Sequence, residues 1–272
     1  MDLHNYTLPW LSSYDPEVSP HLEYPSMPLF ALLRESIRQN AERTALIFYG
    51  KQISYAQLGS HIDRLAGALQ QLGVGPGDRV ALILPNCPQY VIAYYAVLQL
   101  GAIAVPVNPL STERELTHIL RDAGVRLAVA LDLVAGRLEQ LRNTLRSEDL
   151  PLLEQVVYAS LPEFLPWPLS FFYRWKQKAP CHSGLRFLPL ATGSRALERI
   201  ASPDVHHDPA LLIYTGGTTG TPKGLMLSHY ALVVNACQCK AWGSTSPEDR
   251  LLAVLPLFHG FGMSVGMNSA LL

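Results

Sequence analysis

The chain is poor in charge, in cysteine and in long uninterrupted apolar runs. Charged residues make up only 16% of its 272 positions, below the quarter or so of ordinary soluble domains, so much of the chain is expected in an interior. Acids and bases nearly cancel, to a formal net charge of −1, which removes any global electrostatic case for nucleic acid as a partner. Four cysteines, Cys87, Cys181, Cys237 and Cys239, are too few and too scattered for a disulfide framework. Cys237 and Cys239 form a CxC pair without a second pair or histidine at zinc spacing, and read as structural thiols on a helix. The opening Met-Asp-Leu-His lacks a basic n-region and an apolar h-region, so no signal peptide is expected. The longest apolar stretch, Tyr90 to Val107, is broken by Gln99, Gly101 and Pro106. It reads as helix, glycine stop and strand rather than a membrane span. A cytoplasmic, reducing setting fits these features.

What the sequence does contain is alternation. Residues 1–28 are rich in Pro and Tyr, lack periodicity, and read as an extended arm. Leu29, Leu32, Leu33, Ser36 and Ile37 mark one helix face, followed by an extended pair across Gly50-Lys51. Ser54-Tyr55-Ala56-Gln57 is a capping box opening a helix with Leu58, Ile62, Leu65 and Leu69 inward, and Thr112 to Glu115 is a second box. Buried strands are expected at Val80–Leu84, Ile103–Val107, Leu127–Leu131 and Gln155–Ala159. Helices fall between them, including Pro88–Leu100 and a charged one around Arg137–Arg146. Continuous apolar strands alternating with helices predict an α/β fold, with a mostly parallel sheet covered on both faces. The expected organisation is an arm (1–28), a first α/β subdomain (29–208) with an aromatic and basic insertion at 161–182, and the start of a second subdomain (209–272). A polar, Gly/Ser-containing connection is expected between the insertion and Asp208. No internal repeat is visible.

After a short apolar strand, Ala210 to Tyr214, comes Thr215-Gly216-Gly217-Thr218-Thr219-Gly220-Thr221-Pro222-Lys223-Gly224. Its glycines let successive backbone N–H groups point inward as an anion nest. Thr218, Thr219 and Thr221 add hydroxyl donors, Lys223 adds a point positive charge, and Pro222 stiffens the exit. The loop is suited to polyphosphate. It is not a Walker A loop: Lys223 is followed by Gly224 and an expected strand at Leu225–Leu227, with the next helix starting only at about Ser228. The grip would come from loop amides and side chains rather than mainly from a helix dipole.

A second constellation, Pro256-Leu257-Phe258-His259-Gly260-Phe261-Gly262, follows an apolar run, Leu251 to Leu255, that reads as a strand. A histidine leaving a strand between aromatic and glycine residues is well placed to face a cleft. His206 and His207 beside Asp208 lie in a polar linker and read as solvated rather than as metal ligands.

These residues resemble the adenylate-forming enzymes, the family of acyl-CoA synthetases, luciferases and peptide-synthetase adenylation domains. Tyr214 to Gly224 is similar to the family's phosphate-loop signature, and Pro256 to Gly262 to its downstream histidine motif. Leu100 to Pro109 and Ile53-Ser54-Tyr55 with Leu58 are similar to two earlier motifs, in the family's order and across nearly the whole chain. The resemblance implies the first part of the family's large N-terminal domain. It also implies ATP with Mg2+ as cofactors, a carboxylic acid activated as an acyl-adenylate, and CoA as the thiol acceptor. By the same resemblance Thr218, Thr219 and Lys223 hold the β- and γ-phosphates, Thr215 lies near the magnesium ion, and His259 lines the acyl-carboxylate site.

Phe164 to Lys178 resembles an insertion of bacterial long-chain fatty-acid–CoA ligases. Its Trp167, Phe171, Phe172, Tyr173 and Trp175 beside Arg174, Lys176 and Lys178 suit a membrane interface as well as a subdomain contact. The expected substrate is therefore a long-chain fatty acid, with peripheral membrane contact through 164–178 and a homodimer of the intact protein carried as further expectations. A fatty acyl-AMP ligase, an aryl or medium-chain acid–CoA ligase, and a non-catalytic nucleotide-binding or interaction fragment are the alternatives. The family's later motifs, a magnesium glutamate, a ribose-binding aspartate and a lid lysine, do not occur in 1–272. Ser264 to Leu272 reads as an apolar helix opening without a cap. One piece of a longer or split protein, inactive alone, is the expectation.

Overall fold

The computed structural model describes residues 9–147, 153–176, 184–216 and 222–272. After a 3-10 turn at Pro9–Ser13 the chain enters α1 (Leu29–Gln39), which buries Leu29, Phe30, Leu33 and Ser36. The hairpin β1 (Thr44–Phe48) and β2 (Lys51–Ser54) turns at Tyr49 and Gly50, both at positive φ. Both predicted capping boxes are present. Ser54 accepts from the amide of Gln57 at the start of α2 (Tyr55–Gln71), and Thr112 does the same with Glu115 at the start of α4 (Glu113–Ala123). The Thr112 amide and hydroxyl hold the Glu115 carboxyl below the usual range.

The main sheet comprises β3 (Arg79–Ile83), β4 (Ile103–Pro106), β5 (Leu127–Leu131), β6 (Gln155–Ala159), β7 (Leu185–Arg186), β8 (Pro209–Thr215) and β9 (Lys223–Ser228), in the order β7-β6-β5-β3-β4-β8-β9. All its pairings are parallel except β8 with β9. Strand periodicity divides the core between the two faces. Val80, Leu82, Leu127, Val129 and Val157 face α1, α2 and α3 (Pro88–Gln99). Ala81, Ile83, Ala128, Ala130, Val156 and Tyr158 face α4 and α5 (Ala135–Ser147). Every residue of α3 is buried, which accounts for its nearly unbroken apolar sequence. Among the described residues no helix is long and apolar enough to cross a membrane. Cys87 caps α3 and is buried, its thiol pushed up to about 12 by loss of solvent.

One expectation is revised, and the structure adds detail at two other places. β8 starts at Pro209, where the second subdomain is expected to begin, and it pairs with β4 in the main sheet. The connection before Asp208 contains β7 and α7 (Phe187–Gly193), which buries Phe187 and Ala191. α2 leaves room for the backbone just beyond α7: a Cβ on Gly67 would collide with the carbonyl of Arg195, next to the Leu197 amide bonded to Asp63 O at 2.9 Å. Leu251–Leu255 is not a strand. A strand needs a ladder partner, and among the described residues no strand pairs with this segment, the outermost strand of the sheet, β9, pairing with β8. The carbonyls of Ala253 and Leu255 accept from the side chain of Asn86 instead.

Candidate functional site

In an open parallel sheet the ligand crevice lies outside the carboxyl ends of the strands, where successive connections leave toward opposite faces. Here that point falls between β3, whose connection runs through α3 on one face, and β4, whose connection runs through α4 on the other. Because β3, β4 and β8 are parallel neighbours, the segments leaving all three emerge on the same side. They are Leu84–Cys87, Val107–Thr112 and the glycine-threonine loop.

That loop closes a β-hairpin. The antiparallel register of β8 and β9 ends with Tyr214 opposite Gly224 and Thr215 opposite Lys223. The first threonine and the lysine of the motif therefore face each other across the mouth of the loop, and both are exposed. Gly216 and Pro222 flank it. Gly217, Thr218, Thr219, Gly220 and Thr221 lie outside the described residues. Gly224 has a steric reason: a Cβ there would sit 3.0 Å from Leu212 Cδ1 and 3.1 Å from the Tyr214 ring.

α4 braces the hairpin from outside. Tyr214 donates its hydroxyl to Asp122 Oδ2 at 2.6 Å, and His118 Nε2 donates to the carbonyl of Pro222 at 2.9 Å. The carbonyl can only accept, which fixes the proton of His118 on Nε2. Burial, then the neighbouring carboxylate, raises the Tyr214 phenol above its ordinary value, so it stays a neutral donor. Neither His118 nor Asp122 is marked by a local motif; only their position on the solvent-facing side of a helix after β4 brings them here.

His259 precedes α9 (Gly260–Met263), in extended backbone, and is exposed. The helix continues through a π turn (Ser264–Asn268) into α10 (Ser269–Leu271). π turns recur at functional sites. A Cβ on Gly260 would touch Ile213 of β8 at 3.7 Å, so the histidine segment lies beside the strand that delivers the loop. Gly262 is the tightest point: a Cβ there would strike the Pro256 carbonyl and come within 2.9 Å of Leu255 O. Tyr90 of α3 donates to the Leu257 carbonyl at 2.9 Å, Tyr95 to Asn268 Oδ1 at 3.1 Å, and Tyr55 of α2 to Leu271 O at 3.3 Å.

His206 and His207 stand elsewhere and are exposed, His207 paired with Asp204 at 3.1 Å. Among the described residues no group of three or more His, Cys, Asp or Glu is placed to hold a metal ion. Cys237 and Cys239 lie half-buried on α8 (His229–Trp242), and Cys181 lies outside the described residues.

The family model of AMP-binding enzymes matches residues 33–272. The chain belongs to the AMP-binding enzyme family. It is 36% identical over 270 residues to a long-chain-fatty-acid–CoA ligase of Bacillus subtilis (strain 168), covering 96% of this chain and 47% of that protein. In structure it is similar to a long-chain-fatty-acid–CoA ligase from Archaeoglobus fulgidus, with a TM-score of 0.75 at 23% identity, over 93% of this chain and 46% of that one. It is also similar to ATP-bound MatB from Rhodopseudomonas palustris, with a TM-score of 0.72 at 25% identity, over 90% and 43%. The chain spans about half the length of the curated relatives it matches. The α/β fold with a mostly parallel sheet is that of the amino-terminal part of these AMP-binding enzymes.

Proposed function

We propose that this chain carries the phosphate-binding half of a fatty-acid–CoA ligase. The observation that carries the reading is the hairpin mouth, where Thr215 faces Lys223 at the carboxyl end of the sheet with the His259 segment alongside. A long-chain substrate is favoured by the name of the Bacillus relative. In the first step a carboxylate oxygen attacks the α-phosphorus of ATP, the bond to the β-phosphate bridge breaks, and pyrophosphate leaves. In the second, the CoA thiolate attacks the acyl carbonyl and AMP leaves. A carboxylate is a poor electrophile, so the protein's task is to stabilise charge on the phosphoryl group and on departing pyrophosphate. Thr218, Thr219 and Lys223 would take the β- and γ-phosphates, and His259 would orient the acyl carboxylate. Mg2+ would arrive with the nucleotide. Thr215 offers it one neutral hydroxyl, which is not a complete site for a hard divalent cation, so no step is assigned to the metal.

Fatty-acid-dependent ATP–pyrophosphate exchange tests this. Residues 1–272 alone are expected to bind nucleotide without turnover. Exchange by the polypeptide containing the family's later motifs, stimulated by hexadecanoate over benzoate and acetate, supports the long-chain reading. Preference for an aryl or short acid, or AMP-ester release without thioester formation, favours the alternatives. Nucleotide binding with no exchange in any longer form leaves the non-catalytic reading.

Peripheral membrane contact belongs to the same proposal. On α6 (Leu169–Lys176) and the residue two before it, Trp167, Phe171, Phe172 and Trp175 are 83%, 60%, 55% and 80% exposed. A soluble surface rarely leaves four such rings together without a partner. From Phe164 to Leu197 the sequence carries five basic residues, Arg174, Lys176, Lys178, Arg186 and Arg195, and no acidic one. Exposed aromatic rings in a stretch of basic sequence fit an anionic bilayer. Sedimentation with phosphatidylglycerol vesicles but not phosphatidylcholine vesicles is expected, and is lost when the four rings become Ser. Unchanged sedimentation of that variant defeats the contact.

A further inference from the structure

We infer that Asn86 is the positioning residue that sets the His259 segment against the carboxyl end of the sheet. The inference rests on the reading of His259 as part of the acyl-carboxylate site. Asn86 lies in the loop leaving β3, at the point where the connections of β3 and β4 part toward opposite faces. Its Nδ2 donates to the carbonyls of Ala253 at 2.9 Å and Leu255 at 2.8 Å, and its Oδ1 accepts the amide of Leu257 at 2.8 Å. Two carbonyls can only accept and an amide N–H can only donate, so the partners fix which end of the side chain is nitrogen.

The three backbone groups belong to alternate residues, which is how an adjoining strand would meet them. One side-chain amide thus replaces a missing ladder partner. Within residues 1–272 Leu251, Leu252, Val254 and Leu255 are exposed, so here the Asn86 bonds are the segment's main tie to the sheet. Leu257 is where it becomes buried, with its amide on Asn86 and its carbonyl on Tyr90. Two residues later comes His259. Its amide bonds back to Pro256 O at 3.1 Å and its carbonyl accepts Met263 N at 2.9 Å. The backbone is therefore specified from Ala253 to the first turn of α9, and Asn86 anchors the end that precedes the histidine.

The chemistry predicts an order of substitutions. Asn86→Ala removes all three bonds and leaves a space. Asn86→Asp keeps the shape and the acceptor but replaces both donors by an oxygen facing two carbonyls, so the isosteric variant is the more damaging. Two readouts test it. In the 272-residue chain, amide exchange at Leu257 is expected to speed up by about tenfold or more in Asn86→Asp, with β3, β5 and β6 unchanged. In fatty-acid-dependent ATP–pyrophosphate exchange by the active polypeptide, KM for the fatty acid is expected to rise about tenfold, with KM for ATP moving less than about twofold.

Unaltered exchange at Leu257 in both variants would overturn the inference. So would a joint rise of both KM values with loss of protection throughout the sheet, the mark of a merely structural residue. If the wild-type polypeptide shows no fatty-acid-dependent exchange, the ligase reading falls instead, and Leu257 exchange alone decides whether Asn86 holds the segment.

Discussion

His118 Nε2 lies 2.9 Å from the carbonyl oxygen of Pro222, joining the middle of α4 to the residue that precedes Lys223. With Tyr214 bonded to Asp122, α4 grips both strands of the hairpin at the mouth of the loop. His118→Ala is expected to weaken nucleotide binding by about threefold to tenfold, the worth of one hydrogen bond, without lowering Tm appreciably. Titration with a fluorescent ATP analogue checks this, and unchanged affinity removes His118 from the bracing role.

Lys223 bears on the same ligand directly. Lys223→Ala should raise KM for ATP by about tenfold or more, since hydrogen bonds to charged groups contribute about 1.5–3 kcal/mol. KM for the fatty acid should hardly change. Rates measured at low and saturating ATP separate the two effects, and an unchanged rate at low ATP withdraws the assignment.

Gly262 is required by packing rather than by its backbone angles, because a Cβ there strikes Pro256 O. Gly262→Ala should cost about 1–3 kcal/mol, as overpacking at a backbone contact does, and displace the His259 segment. Thermal unfolding would then show a lowered Tm, whereas an unshifted Tm would mean the helix can slide without penalty.

His229 supplies a pH dependence. It is buried at the start of α8 with Phe30 edge-on at 5.7 Å, and loss of solvent holds its pKa down to about 4 against 6.5 in the unfolded chain. The folded state binds fewer protons than the unfolded one, so this contribution is fully present above pH 6.5. It is lost as pH falls toward 4, in total about 3 kcal/mol. Urea midpoints between pH 4 and 7 should flatten in His229→Gln, and an unchanged slope would assign the acid sensitivity to other groups.

Local features were legible in the sequence. Ser54 with Gln57 and Thr112 with Glu115 announced their helices because a capping box spans four residues. Leu127–Leu131 and Gln155–Ala159 matched their strands because a strand buried on both faces needs an unbroken apolar run. α7 was missed because it is short and contains Pro189, and its burial depends on α2, more than a hundred positions upstream. Leu251–Leu255 has the composition of a strand, but composition does not supply a ladder partner. At the site, the glycine-threonine motif located the hairpin loop, and the Pro256–Gly262 motif located the histidine. The roles read onto both motifs remain proposals. Asn86, His118 and Asp122 could not be found this way, because each meets its partner through the sheet topology.

The bond from Asn86 to the Leu257 amide spans 171 positions. β3, β5 and β6, by contrast, associate within a single stretch from Arg79 to Ala159. Contacts of long sequence separation form only after the entropy of closing the loop has been overcome. The first five helices and their strands are therefore able to condense while the histidine segment is still unsynthesised. The crevice takes shape only after β3, β5 and β6 are able to associate, because the histidine segment beside it is made later.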